Sequence, residues 1–162
     1  MVTQEELKRL MRYDPETGNF IRLVGRKGVA AGSVAGTMMR HGYIKIAIKP
    51  KQYLAHRLAW LYVHGTWPEG LLDHVNGDKA DNRIENLRVC NKAQNSYNSK
   101  RPSINRSGVK GVCWHGAMNK WYARLTFNGV CKDLGFFERI EDAEECVRRA
   151  RAIHHGEFAR HE

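Results

Sequence analysis

Apolar and polar positions along the chain change period several times, and each change marks an element. Thr3 to Glu6 fits a capping box, and Leu7, Leu10 and Met11 then share one face of a short helix. Asp14-Pro15-Glu16-Thr17-Gly18 reads as a turn. Asn19 to Val24 and Tyr43 to Ile48 read as strands. In the second, Ile44, Ile46 and Ile48 face one way, Lys45 and Lys49 the other. The Gly- and Ala-rich stretch Gly28 to Gly36 between them predicts a loop or a weak strand. Tyr53 to His64 predicts a helix, with Leu54, Leu58 and Leu61 on one face and Ala55 and Ala59 beside them. Trp67-Pro68-Glu69-Gly70 ends that unit. Leu71 to Val75 and Leu87 to Cys90 are short strands, and Asn91 can cap a helix running to about Asn98.

Beyond Gly108 the pattern changes. Val109 to His115, Lys120 to Phe127 and Val130 to Phe136 read as three strands, with Asn128-Gly129 as a hairpin turn. Trp121, Ala123, Leu125 and Phe127 alternate with Lys120, Tyr122, Arg124 and Thr126. The first set can pack on a helix, and the second faces outward with His115, Cys131 and Asp133. Ile140 to His154 predicts an amphipathic helix whose apolar stripe is Ala143, Cys146, Val147, Ala150 and Ile153, with Gly156 as terminator. The polar, basic stretch Lys100 to Ser107 is either an inter-domain linker or an arm laid along a phosphate backbone. The division expected is therefore 1–99, a basic linker 100–107, and 108–162.

The 162 residues are 42% hydrophobic, enough to bury a core. No apolar run approaches the roughly 20 residues of a membrane helix, and no membrane partner is expected. The N-terminus lacks the pattern of a signal peptide. Cys90, Cys113, Cys131 and Cys146 form no CxxC pair, which disfavours a zinc site or disulfide framework. A reducing cytoplasm, of a bacterial or phage-infected host cell, is the expected location. With 27 basic and 17 acidic residues the formal charge is +10, a surface that favours polyanions.

Chemistry concentrates between residues 71 and 98. The pair Asp73-His74 ends an apolar run and enters the Asn76-Gly77 turn, with Asn86 and Asn95 following on a strand and a short helix. Cutting a phosphodiester needs a nucleophilic water, a base and a cation. A positioned base contributes about 10²–10⁴-fold, and the remainder must come largely from metal and positioning. His74 can be the base, since imidazole titrates near neutrality. Asp73 points to the opposite face of a regular strand, so both can approach one phosphate only if the chain bends at Asn76-Gly77. Carboxylate plus amide oxygen suits Mg²⁺ or Mn²⁺. Asn76-Gly77-Asp78 and Asp81-Asn82 read as ordinary turn chemistry. Asn86 alone could brace a loop, Asn95 alone could be a surface amide, and His56 reads as a packed or capping residue. Arg57 could clamp a phosphate or form a buried ion pair.

Four stretches together resemble the HNH nucleases, in particular the phage and intron homing-endonuclease branch: Ala55-His56-Arg57-Leu58-Ala59-Trp60, Leu72-Asp73-His74-Val75-Asn76-Gly77-Asp78, Asp81-Asn82-Arg83-Ile84-Glu85-Asn86-Leu87-Arg88, and Ala93-Gln94-Asn95. The resemblance covers roughly residues 10 to 98. It implies a ββα-metal finger, with Asp73 as metal carboxylate, His74 as general base, Asn86 orienting the histidine, and Asn95 as second metal ligand in an H-N-N variant. One divalent ion, Mg²⁺ or Mn²⁺, is implied and no other small-molecule cofactor.

Residues 107 to 158 resemble the AP2 DNA-binding domain through Ser107-Gly108-Val109-Lys110-Gly111-Val112-Cys113-Trp114, Lys120-Trp121-Tyr122-Ala123, Leu134-Gly135-Phe136-Phe137 and Glu141-Asp142-Ala143-Glu144. That resemblance implies a three-stranded antiparallel sheet with one helix, binding double-stranded DNA through the sheet. Cys113, Thr126 and Cys131 stand where relatives are often basic. Arg57, Lys100, Arg101, Arg106, Lys110, His115, Arg124 and Thr126 are the expected DNA contacts. The fold class expected is α+β: an HNH finger with an N-terminal β-rich extension, then an AP2-like unit. The activity expected is site-specific DNA cleavage of the homing type. The alternative is a non-catalytic DNA-binding regulator, and an RNA-binding role lacks any RNP1 or GXXG pattern.

Overall fold

Thr3 Oγ1 accepts a hydrogen bond from Glu6 N and starts α1 (Gln4–Leu10), whose Leu7 is fully buried. The helix passes directly into β1 (Met11–Tyr13), which pairs antiparallel with β2 (Phe20–Arg22), and β2 with β3 (Val34–Ala35). The computed structural model describes residues 1–25 and 28–161. β4 (Thr37–Met38), β5 (Ile44–Ile48) and β6 (Lys51–Leu54) form a second antiparallel sheet, and α2 (Ala55–His64) follows β6 without a loop. The sequence pattern placed Tyr53 and Leu54 in that helix. Instead the β5–β6 pairing, Ile46 opposite Tyr53 and Lys45 opposite Leu54, holds them extended. Tertiary pairing here overrides local helical periodicity.

β7 (Leu71–His74) pairs antiparallel with β8 (Leu87–Cys90). The Asp14–Gly18 turn appears as expected, tied by Gly18 N to Asp14 O at 2.8 Å. Phe20, Leu7, Ile46, Leu58 and Leu61 anchor one core formed by α1, α2 and these sheets.

The chain divides into two compact units, Met1–Cys90 and Asn91–Glu162. In the second, Asn91 and Gln94 form a reciprocal capping box that starts α3 (Lys92–Tyr97). The division falls ahead of the 100–107 segment because Tyr97 is fastened into the second unit. Its ring stacks on His155 at 3.8 Å, and its hydroxyl bonds to Asn128 Oδ1 at 3.0 Å and receives Asn128 N at 2.8 Å. Nor is 100–107 a bare linker: Asn105 Nδ2 donates to Val109 O and Ser107 Oγ to Val112 O.

β9 (Val112–His115), β10 (Lys120–Phe127) and β11 (Val130–Phe137) form an antiparallel sheet in the order β11-β10-β9. Asn128 and Gly129 both take positive φ in the β10–β11 turn. α4 (Ile140–His155) packs Ala143 and Val147 on Val112 and Ala123. Ile153, expected in the apolar stripe, is 77% exposed. Arg151 and His155 take the inward positions, Arg151 donating to Lys110 O and His155 bonding Thr126 O at 2.9 Å. Among the described residues no helix is long and apolar enough to cross a membrane.

Candidate active site

The β7–β8 ladder sets Asp73 opposite Arg88 and His74 opposite Leu87, so the two candidate side chains leave opposite faces of the ribbon. The strand stays regular through His74, and the turn follows it. Both residues are buried. Arg88 Nε and Nη2 donate to Asp73 Oδ2 at 3.0 and 2.8 Å. This cross-strand ion pair fixes the position of the Asp73 carboxylate.

His74 lies in a ring cluster with Tyr43 at 5.9 Å and His56 at 5.1 Å, the two imidazoles nearly perpendicular. Burial pushes the His74 pKa below its ordinary value. The Asn82 carboxamide and the charges of Asp73, Asp78 and Asp81 oppose the shift without reversing it. His74 is thus a neutral imidazole at neutral pH, the form a proton acceptor needs. His56 is also buried, and desolvation followed by the His74 and Arg57 charges takes it down to about 3. Tyr43 is raised by burial.

A polar network ties the 75–86 segment. Asn86 Oδ1 accepts from Asn76 N at 2.9 Å, and Asn86 Nδ2 donates to Asp81 O at 2.8 Å. Val75 N donates to Asn86 O. Asp81 receives Asn76 Nδ2 and the Arg83 guanidinium, which hold its pKa down to about 2. Asn86 therefore acts on the turn leaving His74, through backbone groups. The side chain that bears on the imidazole is Asn82, read from sequence as turn chemistry and here 2% exposed.

The remaining sequence candidates divide. Among the described residues Arg57 is in no ion pair: Nη1 and Nη2 donate to Gly70 O and Pro68 O, both at 3.3 Å, pinning the loop before β7. Lys110 Nζ donates to Tyr97 O and Ser99 O, and burial takes its pKa down to about 8. Its ammonium is occupied within its own unit, which makes it a poorer phosphate contact than the sequence suggested. His115 Nδ1 accepts from Met118 N at 3.2 Å. Lys100, Arg101, Arg106, Arg124 and Thr126 are exposed. Asn95 is exposed on α3, in the second compact unit.

In the first unit, Asp73 offers carboxylate oxygens, hard donors of the kind that suit Mg²⁺ or Mn²⁺. Among the described residues no group of three or more His, Cys, Asp or Glu is gathered for a metal.

A family model described as HNH endonuclease matches residues 53–97, from β6 through α3. Protein 3.8 of Escherichia phage T7 is 31% identical over 123 residues, spanning 75% of this chain and 98% of that protein. The chain belongs to the HNH endonuclease family. An uncharacterized HNH endonuclease L560 of Acanthamoeba polyphaga mimivirus is 29% identical over 106 residues, 64% of this chain and 54% of that protein. A second mimivirus relative, the uncharacterized HNH endonuclease L247, is 35% identical over 77 residues, 43% of this chain and 19% of that protein. No solved structure matches. The family match contains Asp73, His74, Asn86 and Asn95 and ends before the β9–β11 sheet.

Proposed function

We propose that the chain is a divalent-metal-dependent, site-specific DNA endonuclease of the homing type, with His74 as general base. The observation that carries this reading is a buried, neutral His74 that follows an Arg88-paired Asp73 on β7, within the segment matched to the HNH family. His74 takes a proton from a water whose oxygen attacks the phosphorus. The bond from phosphorus to the 3′ oxygen breaks, leaving a 5′-phosphate and a 3′-hydroxyl. Asn86 fixes the turn that follows His74, and Asn82 and His56 limit the ring's freedom. Asp73 would hold the ion, which when bound supplies charge for the leaving oxygen.

In the second unit, the outward sheet face carries His115, Arg124 and Thr126, and we assign duplex binding to it, in the manner of AP2 domains. Arg124 is exposed there and can reach a base edge or phosphate. The net charge of +10 supports this assignment. The test is incubation of the full chain with phage or host DNA in Mg²⁺, Mn²⁺ or EDTA. Cutting in either metal and none in EDTA is expected. Specific binding with no cutting in any condition would replace the nuclease with a regulator.

A further inference from the structure

Within the second unit, the 102–107 segment and the start of the β9–β10 sheet enclose a cleft of about 690 Å³. It falls in the size range of small-ligand sites. Trp114 and Trp121 line it with ring centroids 5.1 Å apart and planes at 72°, so one indole offers a face while the other braces its edge. Trp114 is 49% exposed, and Ile104 on the facing segment is 87% exposed. Neither contributes much to the unit's core, which rests on Val112, Ala123, Ala143 and Val147. Arg106 and Arg124 also line the cleft, both are exposed, and neither is in an ion pair among the described residues. The wall that bears Ile104 and Arg106 is fixed: Asn105 Nδ2 donates to Val109 O and Val112 O, and Ser107 Oγ to Val112 O.

We propose that this cleft receives one unpaired nucleotide of a DNA substrate, its base against Trp114 and Ile104 and its flanking phosphates on Arg106 and Arg124. An aromatic face with two guanidiniums matches a base carried on a charged backbone. It does not match a purely apolar side chain, and the chain's +10 charge repels basic peptides. Duplex bases keep their faces stacked on one another, so only an unpaired or extruded base can occupy the indole. The cleft thereby favours DNA with a locally opened strand, which goes beyond the duplex binding assigned to the sheet face. It rests on the reading of this chain as a DNA-acting protein.

The test is fluorescence anisotropy of the full chain in EDTA with two labelled duplexes of the same sequence, one intact and one with a two-nucleotide bulge. The bulged duplex should bind more tightly. Trp114→Ala should cut the affinity for it roughly tenfold while leaving the intact duplex nearly unchanged. Trp114→Phe should retain most of the preference, which separates stacking from misfolding. Equal binding of both duplexes by the parent, or an unchanged preference in Trp114→Ala, overturns the proposal. If neither duplex binds, the DNA-acting reading falls with it, whereas metal-dependent cutting without a bulge preference overturns the cleft alone.

Discussion

His56 is buried without hydrogen-bonding its Nδ1 among the described residues, and it abuts two other rings. Its pKa of about 3, against an ordinary value near 6.5, makes it a liability in acid. The folded form is depressed, so as pH falls the unfolded chain takes the proton first. Stability from this residue is complete above about pH 6.5 and is lost as the pH descends towards 3. The slope is about 1.4 kcal/mol per pH unit, so moving from pH 7 to pH 5 removes about 2 kcal/mol through His56 alone. The substitution His56→Gln removes the titration. It should lower stability at pH 7 by loss of ring packing, yet lose about 2 kcal/mol less than the parent between pH 7 and pH 5. Because the chain has two compact units, the measurement should be local: amide hydrogen exchange across α2 and β5 in urea at both pH values. Equal acid losses in parent and variant would refute the buried neutral state of His56.

Other outcomes follow from the same geometry. Gly18 has φ +71°, and a Cβ there would meet Arg83 N at 2.5 Å and Asn82 C at 2.6 Å. Gly18→Ala should cost about 2–4 kcal/mol in chemical denaturation of the first unit and slow cutting by displacing Asn82. Asn86→Ala removes the side-chain bonds to Asn76 N and Asp81 O, and should cost about 1–3 kcal/mol and slow cutting ~10–100-fold with DNA affinity nearly unchanged. Arg124→Ala should weaken DNA binding and, if Arg124 meets a phosphate, reduce the slope of log K against log salt by about 0.9 in a titration of binding.

Much of the architecture was legible because strong local signals agreed with the final packing. The Asn128-Gly129 turn fixed the β10–β11 hairpin, and the Asn91–Gln94 cap fixed α3. Where the sequence misled, long-range partners decided. Lys51–Leu54 is a strand because β5 lies beside it, and short β1 has too few residues to alternate visibly. Ile153 was assigned inward by periodicity, but Arg151 is inward because a carbonyl of Lys110 awaits its guanidinium.

At the site, Asp73, His74 and Asn86 stood out by residue type and spacing. Asn82 did not, because an asparagine in an Asp-Asn turn is indistinguishable in sequence from one packed near an imidazole. The Asp73–Arg88 pair was available in principle, since pairing Leu71 with Cys90 places those two residues opposite. Arg57 and Lys110 look like free cations in a basic sequence. Their carbonyl partners in 68–70 and 97–99 become apparent only once the chain is folded.

The most direct test of His74 as proton acceptor compares the parent with His74→Ala, measuring cleavage rate in Mg²⁺ and DNA affinity in EDTA on the same substrate. Loss of cutting by ~10²–10⁴-fold with affinity within about twofold is the predicted result. Cutting at the parent's rate by His74→Ala would contradict the account and move the chemistry to other residues.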